Sequence, residues 1–308
     1  MRSWTEDDVR AGPTLPQVID SLEQVLTHEA RGTAWNLDKA MTTWPVGDAR
    51  GSAQALGAVD RDADLVVFKT WVNTPTGATA LMSLFSATDG IAIGVAEAGA
   101  AGSLRTAAGA GLATRWMSAD DADELAVLGA GRQALRQVEA VAAVRPLRRV
   151  RLWNRTAEKA HSLAEQVRSE IQVDVVVANS VEDATRDAPV VTLITRAQEP
   201  FLRLEHLAPG AHLNAVGAIL PSHAEFDPAL IAHSALTVVD SAESARRASR
   251  ELHEHFDDSG GWDSVATLAE VVTGKVARPA DPRCTVFKGM GMGLSDLAVA
   301  RLLVGGTP

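Results

Sequence analysis

Two glycines and an alanine, spaced as Gly129-Ala-Gly131-x-x-Ala134, are the clearest candidates for ligand chemistry in this chain. An apolar run precedes them over 125–128, and apolar residues with helical spacing follow. Gly129 permits a tight turn, Gly131 lets the backbone approach a pyrophosphate, and Ala134 allows a helix to pack closely on the strand. Because the free N–H groups at a helix start favour phosphate, the pattern predicts a dinucleotide-binding turn rather than a purely structural one.

The residues Asn154, Arg155 and Thr156 follow the second apolar run, where such folds bind the adenosine ribose. NAD-binding domains usually carry an acidic residue there, about 20 positions after the glycines, and a carboxylate repels a 2′-phosphate. Here a guanidinium can pair with that phosphate, so the sequence predicts NADP(H) as the cofactor. The alternative is a solvent-exposed Arg155 with Glu158 as the ribose ligand.

The composition is typical of a globular enzyme and excludes several other classes. The 308 residues, 46% hydrophobic and 22% charged, leave room for two domains, and a net charge of −10 argues against nucleic acid as a partner. The single cysteine, Cys284, cannot form an intrachain disulfide. The first residues lack the apolar run of a signal peptide and no stretch is long enough to span a membrane, so we expect a cytoplasmic protein with no membrane partner.

No metal site is expected either. Residues 251–255 contain two histidines and two glutamates, yet histidines at i and i+2 do not share a helical face. We interpret this segment as a solvent-exposed helix.

Apolar runs alternate with helical stretches after the glycine turn, which predicts an α/β fold. We expect a Rossmann-type doubly wound parallel sheet of about six strands plus a mixed α+β substrate-binding and dimerisation domain. The predicted strands of the parallel sheet are 125–128, 150–153, 173–178, 190–195, 212–217 and 236–239.

The predicted domains are 1–118 for substrate binding and dimerisation and 119–293 for NADP binding, with a C-terminal helix over 294–308 that returns to the first domain. Within 294–303 the pattern indicates an amphipathic helix. Other elements predicted for the first domain and the junction are helices 15–30 and 105–116 and strands around 65–71 and 80–85.

Several fragments, taken in order, resemble the ornithine cyclodeaminase and mu-crystallin family, which includes amino-acid dehydrogenases and imine reductases. They are Lys69 in Val-Phe-Lys-Thr, Leu104-Arg-Thr-Ala-Ala108, 129–134, 153–156, 214–218 with Glu225-Phe-Asp-Pro228, and 287–291 with Asp296. The resemblance covers nearly all of the chain from about residue 60. It implies a homodimer that acts on an α-amino or α-imino acid.

The resemblance also implies site residues. Lys69 matches a lysine that contacts the substrate near the reacting carbon, and Arg105 matches an arginine that lies where substrate carboxylate and cofactor meet. Without such roles, Lys69 would be a strand lysine that reaches solvent. Arg105 would then be a partner of a phosphate or carboxylate at a helix start, with structural value only. The implied cofactor-binding residues form the pyrophosphate loop, the 2′-phosphate site and the walls around ribose and nicotinamide: Gly129, Gly131, Arg132 and Gln133; Asn154, Arg155 and Thr156; Thr195, Val216, Lys288 and Gly289.

One departure from the family concerns Ile219. Deaminating members carry an aspartate there as general base, and isoleucine cannot exchange a proton. His223 is a weaker candidate for a replacement acid, because a loop histidine is more often solvated. Asp296, near the start of the last helix, is expected to be a helix cap or an interdomain contact.

The leading hypothesis is therefore an NADPH-dependent reductase of a carboxylate-bearing imine, a ketimine or cyclic imino acid, or an amino-acid dehydrogenase in the reductive direction. A protonated imine already accepts hydride, so the protein must mainly hold the carboxylate and orient the reactants. A crystallin-like protein that binds NADPH and a small ligand without efficient turnover is the second hypothesis. An ornithine or lysine cyclodeaminase ranks last.

Overall fold

The computed structural model describes residues 1–257 and 260–306, which form two compact units. Unit 1 comprises Met1–Ala108 and the described residues from Met292 onward, and unit 2 comprises Gly109–Gly291. Thr307 and Pro308, the end of the predicted C-terminal helix, lie outside the described residues. The division into domains 1–118 and 119–293 stays a prediction.

Unit 1 is built on a mixed sheet, as the sequence predicts, and this sheet has six strands. Its order is β1-β6-β5-β4-β3-β2, with β1 parallel to β6 and the other neighbours antiparallel. The strands are β1 (Arg2–Trp4), β2 (Ala34–Val46), β3 (Ala49–Asp60), β4 (Leu65–Thr74), β5 (Gly77–Phe85) and β6 (Ala92–Glu97). The helices that contribute to this unit are α1 (Glu6–Ala11), α2 (Leu15–Ala30), the first part of α3 (Gly99–Met117), and α10 (Gly293–Gly305).

Helix α2 spans the predicted residues because its N-terminal cap and its apolar face both match the sequence pattern. Thr14 and Gln17 form a capping box at the N-terminus. Val18, Leu22 and Val25 are buried at helical spacing. The predicted helix over 15–30 is confirmed.

Helix α10 is not amphipathic, contrary to the sequence-based expectation. Residues on every side of it are buried, because it packs against α2 and against strands β3 and β4. Ser21 donates its hydroxyl to the carbonyl of Ala298 at 2.9 Å. A side chain at Gly293 would collide with the carbonyl of Gly57, so the start of the helix is held close against β3.

Unit 2 contains a fully parallel sheet of eight strands rather than about six. Its order is β13-β12-β14-β11-β10-β7-β8-β9. The strands are β7 (Glu124–Leu128), β8 (Arg149–Trp153), β9 (Asp174–Val177), β10 (Val190–Leu193), β11 (Ala211–Ala215), β12 (Leu236–Val239), β13 (Ala266–Thr267) and β14 (Cys284–Lys288). The two unpredicted strands are β13, which is only two residues long, and β14, which inserts between β11 and β12.

Helices cover both faces of this sheet, so the doubly wound architecture is confirmed. Alternate residues of β7 enter different cores: Leu125 and Val127 lie in one, Ala126 and Leu128 in the other. The helices are α4 (Ala134–Ala142), α5 (Ala157–Glu170), α6 (Val181–Thr185), α7 (Ala242–Ala248), α8 (Arg250–Phe256) and α9 (Leu268–Val272). None of the helices in the described part of the chain is long and apolar enough to cross a membrane.

Candidate functional site

The glycine turn lies between β7 and α4, and its two glycines serve different purposes. Gly129 has a positive φ of 120°, and a Cβ there would lie 2.5 Å from the carbonyl oxygen of Ile194. A Cβ on Gly131 would meet no atom within 4 Å, and Gly131 is exposed. The fold therefore requires glycine at 129, whereas at 131 the space is left open, as a bound phosphate needs.

Some backbone N–H groups of this turn are occupied and others are available. Ala130 donates its N–H to Oδ1 of Asn154 at 3.2 Å, and Ala134 donates its N–H to the carbonyl of Gly131 at 3.0 Å. Within residues 1–257 and 260–306, the N–H groups of Gly131, Arg132 and Gln133 donate to no acceptor. They precede the nine-residue helix α4, so they can bind an anion at its positive end.

The candidate 2′-phosphate residues follow β8, beside the glycine turn. The amide of Asn154 bridges the two loops, because its Nδ2 also donates to the carbonyl of Thr156 at 2.9 Å. Arg155 is exposed and forms no ion pair with any residue that the structure describes. Thr156 is the N-cap of α5, yet its hydroxyl makes no capping bond. A guanidinium and a hydroxyl are thus available to a phosphate, and Glu158, the alternative ribose ligand, lies in the next turn.

A buried carboxylate, Glu225, links the loops that follow β10 and β11. Its Oε1 accepts from the N–H and the hydroxyl of Thr195 at 2.6 and 2.7 Å. Its Oε2 accepts from the N–H groups of Gly217 and Ala218 at 2.8 and 3.0 Å. Burial raises the pKa of Glu225, although the Lys288 ammonium and the donated hydrogen bonds oppose the rise. Glu225 belongs to a fragment that carries the family resemblance, but only the structure reveals this role.

Lys288, predicted as a wall residue, has its ammonium in the interior. Its Nζ donates to the carbonyl of Ala218 at 2.7 Å and to Glu251 at 3.0 Å, and both charged side chains are fully buried. The expectation of a solvent-exposed segment at 251–255 is therefore wrong for Glu251, which pairs with a lysine from β14. Glu251 also accepts the N–H of Glu225 at 3.1 Å, so the two carboxylates belong to one network.

Two other predicted wall residues lie next to each other. Val216 is buried at the end of β11, and a Cβ on Gly289 would lie 3.0 Å from its Cγ1. Parallel strands β11 and β14 pair directly, which brings the segments after them together. The structure thus groups Thr195, Val216 and Gly289 at the carboxyl ends of neighbouring strands, β10, β11 and β14.

In unit 1, a charged cluster consists of Lys69, Arg105 and Asp296. Lys69 lies on the face of β4 that packs inward, with 6% of its surface exposed, so the alternative of a solvent-exposed lysine is wrong. Its Nζ donates to Oδ1 of Asp296 at 2.9 Å, and Nε of Arg105 lies 3.8 Å from the same oxygen. Asp296 is not a helix cap, because its carboxylate pairs with Lys69.

The charged cluster is electrostatically unusual. Burial lowers the pKa of Lys69; the Asp296 carboxylate opposes this effect and the Arg105 charge adds to it. Nε of Arg105 and Oδ2 of Asp296 are buried without a hydrogen-bond partner among the described residues. The Lys69 ammonium also lies 5.6 Å from the centre of the Trp71 ring, and Lys39 lies 5.3 Å from it. An ammonium of lowered pKa beside an arginine can donate a proton and bind a carboxylate.

The loop after β11 offers little acid–base chemistry. Ile219 is exposed there and carries no titratable group. His223 lies in the same loop, with Nδ1 2.9 Å from the hydroxyl of Ser222. As far as the described residues go, no three His, Cys, Asp or Glu side chains converge in a way that could hold a metal ion.

Comparison with known proteins identifies relatives over nearly the whole chain. The model of the ornithine cyclodeaminase/mu-crystallin family matches residues 5–305. The ketimine reductase mu-crystallin of Rattus norvegicus is 34% identical over 307 residues, which cover 97% of this chain and 93% of that protein. A Delta(1)-pyrroline-2-carboxylate reductase of Bacillus cereus is 33% identical over 203 residues, or 65% of this chain and 62% of that protein.

A solved structure shares the same fold. The iminosuccinate reductase of Paracoccus denitrificans, in complex with NAD⁺, superposes with a TM-score of 0.90 at 25% identity and covers 99% of this chain and 95% of that one. The fold of both units therefore occurs in a known protein. This chain belongs to the ornithine cyclodeaminase/mu-crystallin family.

Proposed function

We propose that this protein is an oxidoreductase acting on C–N bonds: an NADPH-dependent reductase of a carboxylate-bearing imine, or an amino-acid dehydrogenase in the reductive direction. The observation that carries this proposal is the buried Lys69 ammonium beside Arg105. The names of the rat and Bacillus relatives support the same reaction class. Ile219 argues against a cyclodeaminase, because that position offers no base for the substrate amine.

A reduced nicotinamide would supply the hydride that the imine carbon accepts. The residues of the chain do the rest. Arg105 binds the substrate carboxylate through charge-assisted hydrogen bonds. As the carbon gains hydride, the imine nitrogen gains the electron pair of the C=N bond and needs one proton. Lys69 gives up that proton to a neutral imine and becomes a neutral amine, or it orients an imine that arrives protonated.

We propose that the coenzyme binds to unit 2. The open space at Gly131 and the available N–H groups of Arg132 and Gln133 fit a pyrophosphate. Arg155 and Thr156, with Asn154 as a brace, fit a 2′-phosphate, which favours NADPH over NADH. The walls around ribose and nicotinamide would come from Thr195, Val216 and Gly289. Lys288 would support these walls from the interior, through its buried ion pair with Glu251.

The test of the reaction is NADPH oxidation with a panel of cyclic imino acids, and of 2-oxo acids mixed with amines. We expect turnover of a carboxylate-bearing imine and none of the matched imine that lacks the carboxylate. Tight coenzyme binding with no turnover of any of them would favour the crystallin-like binding protein instead. Release of ammonia from ornithine would favour the cyclodeaminase.

Coenzyme choice is tested by Arg155→Asp. The variant replaces a cation with an anion at the proposed 2′-phosphate site, so we expect the ratio of kcat/KM for NADPH to that for NADH to fall by at least about tenfold, equivalent to one charge-assisted contact. Arg148→Asp, which changes an exposed arginine elsewhere in unit 2, is the matched control. An unchanged ratio in Arg155→Asp would contradict the NADPH assignment.

We also propose a homodimer formed through the outer face of the unit 1 sheet. Leu37, Gly57 and Phe68 lie in one row across β2, β3 and β4, and Leu37 and Phe68 are exposed. Val72 and Leu81 extend the exposed apolar face, which a monomer would leave in water. Sedimentation equilibrium distinguishes monomer from dimer.

The cytoplasmic location stays a prediction.

A further inference from the structure

Among the described residues, the polar partners of the Asp296 carboxylate are the two cations of the charged cluster and no others. Its side chain is fully buried, Oδ1 lies 2.9 Å from Lys69 and 3.8 Å from Arg105, and Oδ2 has no partner among the described residues. A buried carboxylate of this kind is tolerated only beside positive charge. Asp296 does not replace the general base that deaminating family members carry at position 219, because its Oδ2 is buried in the protein and cannot contact a substrate directly.

The position of Asp296 is rigidly set. It lies in the first turn of α10, and the N–H of Leu294 donates to Oδ1 of Asn36 at 3.0 Å. Two residues further along, Ala298 accepts the hydroxyl of Ser21. Both contacts join α10 to neighbouring elements of unit 1, so the backbone that carries the carboxylate is held in place.

We propose that Asp296 is a positioning residue of the substrate site. It holds the Lys69 ammonium in place and keeps it charged, so that the cluster presents one net positive charge to a substrate with a single carboxylate. This inference rests on the proposed function, because it assigns a purpose to the same site.

The surrounding charges show why the carboxylate is needed. Lys69 faces Arg105 from α3 and Asp296 from α10. It also contacts the Trp71 ring, and Lys39 from β2 contacts the same ring. A Cβ on Gly102 would lie 3.4 Å from Nζ, so that side of the ammonium is also enclosed. Burial already lowers the pKa of Lys69. Without Asp296, loss of the Lys69 proton is the easiest relief, because arginine stays charged.

The experiment compares Asp296→Asn, Asp296→Glu and a matched control, Asp60→Asn. Asp60 is also a fully buried aspartate of unit 1, paired with His28 at 2.9 Å. The titration of Lys69 is followed by NMR of ¹³Cε-labelled lysine. The chain has only five lysines: Lys39, Lys69, Lys159, Lys275 and Lys288. The signal that disappears in Lys69→Met therefore belongs to Lys69.

In Asp296→Asn we expect the Lys69 titration midpoint to fall by at least about one pH unit, since an opposite charge within hydrogen-bond distance is lost. The basic limb of the kcat/KM profile should move by the same amount. Asp296→Glu keeps the negative charge but displaces the ammonium. We therefore expect a Lys69 titration midpoint near that of the wild type, with a lower kcat. Asp60→Asn should lower the melting temperature and leave the Lys69 midpoint unchanged.

An unchanged Lys69 midpoint in Asp296→Asn would overturn the inference, as would an equal shift in Asp60→Asn. Should Asp296→Asn fail to fold, Asp296→Glu decides: wild-type kcat would refute the positioning role. If the wild-type protein reduces no imine at all, the proposed function fails, while the NMR titration still shows whether Asp296 keeps Lys69 charged. The two failures are therefore distinguishable.

Discussion

Replacing Glu225 by glutamine removes a negative charge that four donors share. The carboxylate accepts two hydrogen bonds from Thr195, one from Gly217 and one from Ala218, all at 2.6–3.0 Å. Glutamine has the same shape but only one accepting oxygen. With its NH₂ group toward Thr195, the hydroxyl of Thr195 can turn to accept, but the Thr195 N–H loses its acceptor where water cannot reach, and the other bonds lose their charge.

The expected cost follows from those bonds. A hydrogen bond to a charged group contributes about 1.5–3 kcal/mol and a neutral one about 1 kcal/mol, so losing one bond and the charge on the other three destabilises the protein by about 3 kcal/mol or more. At about 2–4 °C for each kcal/mol, the melting temperature should fall by about 6–12 °C. The loops that carry Thr195 and Gly217 would also lose their relative position. We therefore expect NADPH to bind about tenfold more weakly, with 2′-phospho-ADP-ribose, which lacks nicotinamide, nearly unaffected.

Differential scanning calorimetry and isothermal titration calorimetry measure these two effects. Glu205→Gln, at an exposed position of unit 2, is the matched control and should change neither. A fall in melting temperature of less than about 1 °C in Glu225→Gln would refute the reasoning. It would mean that Glu225 is already protonated in the native protein and that its charge does not hold the loops.

Two further predictions concern the glycine turn and a buried histidine. Gly131→Ala should leave the melting temperature unchanged, because its Cβ enters open space, and should weaken NADPH binding at least about tenfold, because that space is the proposed phosphate site. Gly129→Ala should destabilise the protein. A loss of stability in both variants would contradict the phosphate site. His212 is fully buried between Thr285 and Asn214, and burial lowers its pKa to about 3. The unfolded chain therefore binds a proton that the native state does not, and His212 should remove about 1.4 kcal/mol of stability per pH unit as the pH falls from about 6.5 towards 3. Urea unfolding of wild type and His212→Gln across this range tests it, and equal acid slopes in the two proteins would count against a neutral buried imidazole.

Much of the fold follows from local patterns. Helix α2 and strand β12 occupy the residues that their periodicity predicts, because each pattern depends on neighbours a few positions away. The glycine turn is recognisable for the same reason. Strand β14 was not predicted, and its place between β11 and β12 depends on pairing with distant segments. Helix α10 looks amphipathic in sequence but is enclosed on all sides by elements far away in the chain.

The amino-acid sequence alone was enough to recognise the glycine turn, the class of fold and, through its resemblance to a family, Lys69 and Arg105 as candidates. Which carboxylates contact the predicted site residues depended on how the chain folds. Asp296 is 227 positions from Lys69, and Glu225 is 30 positions from Thr195. Periodicity records which face a residue takes within its own element, but the partner of a buried charge is set by how separate elements pack, and no local pattern encodes that.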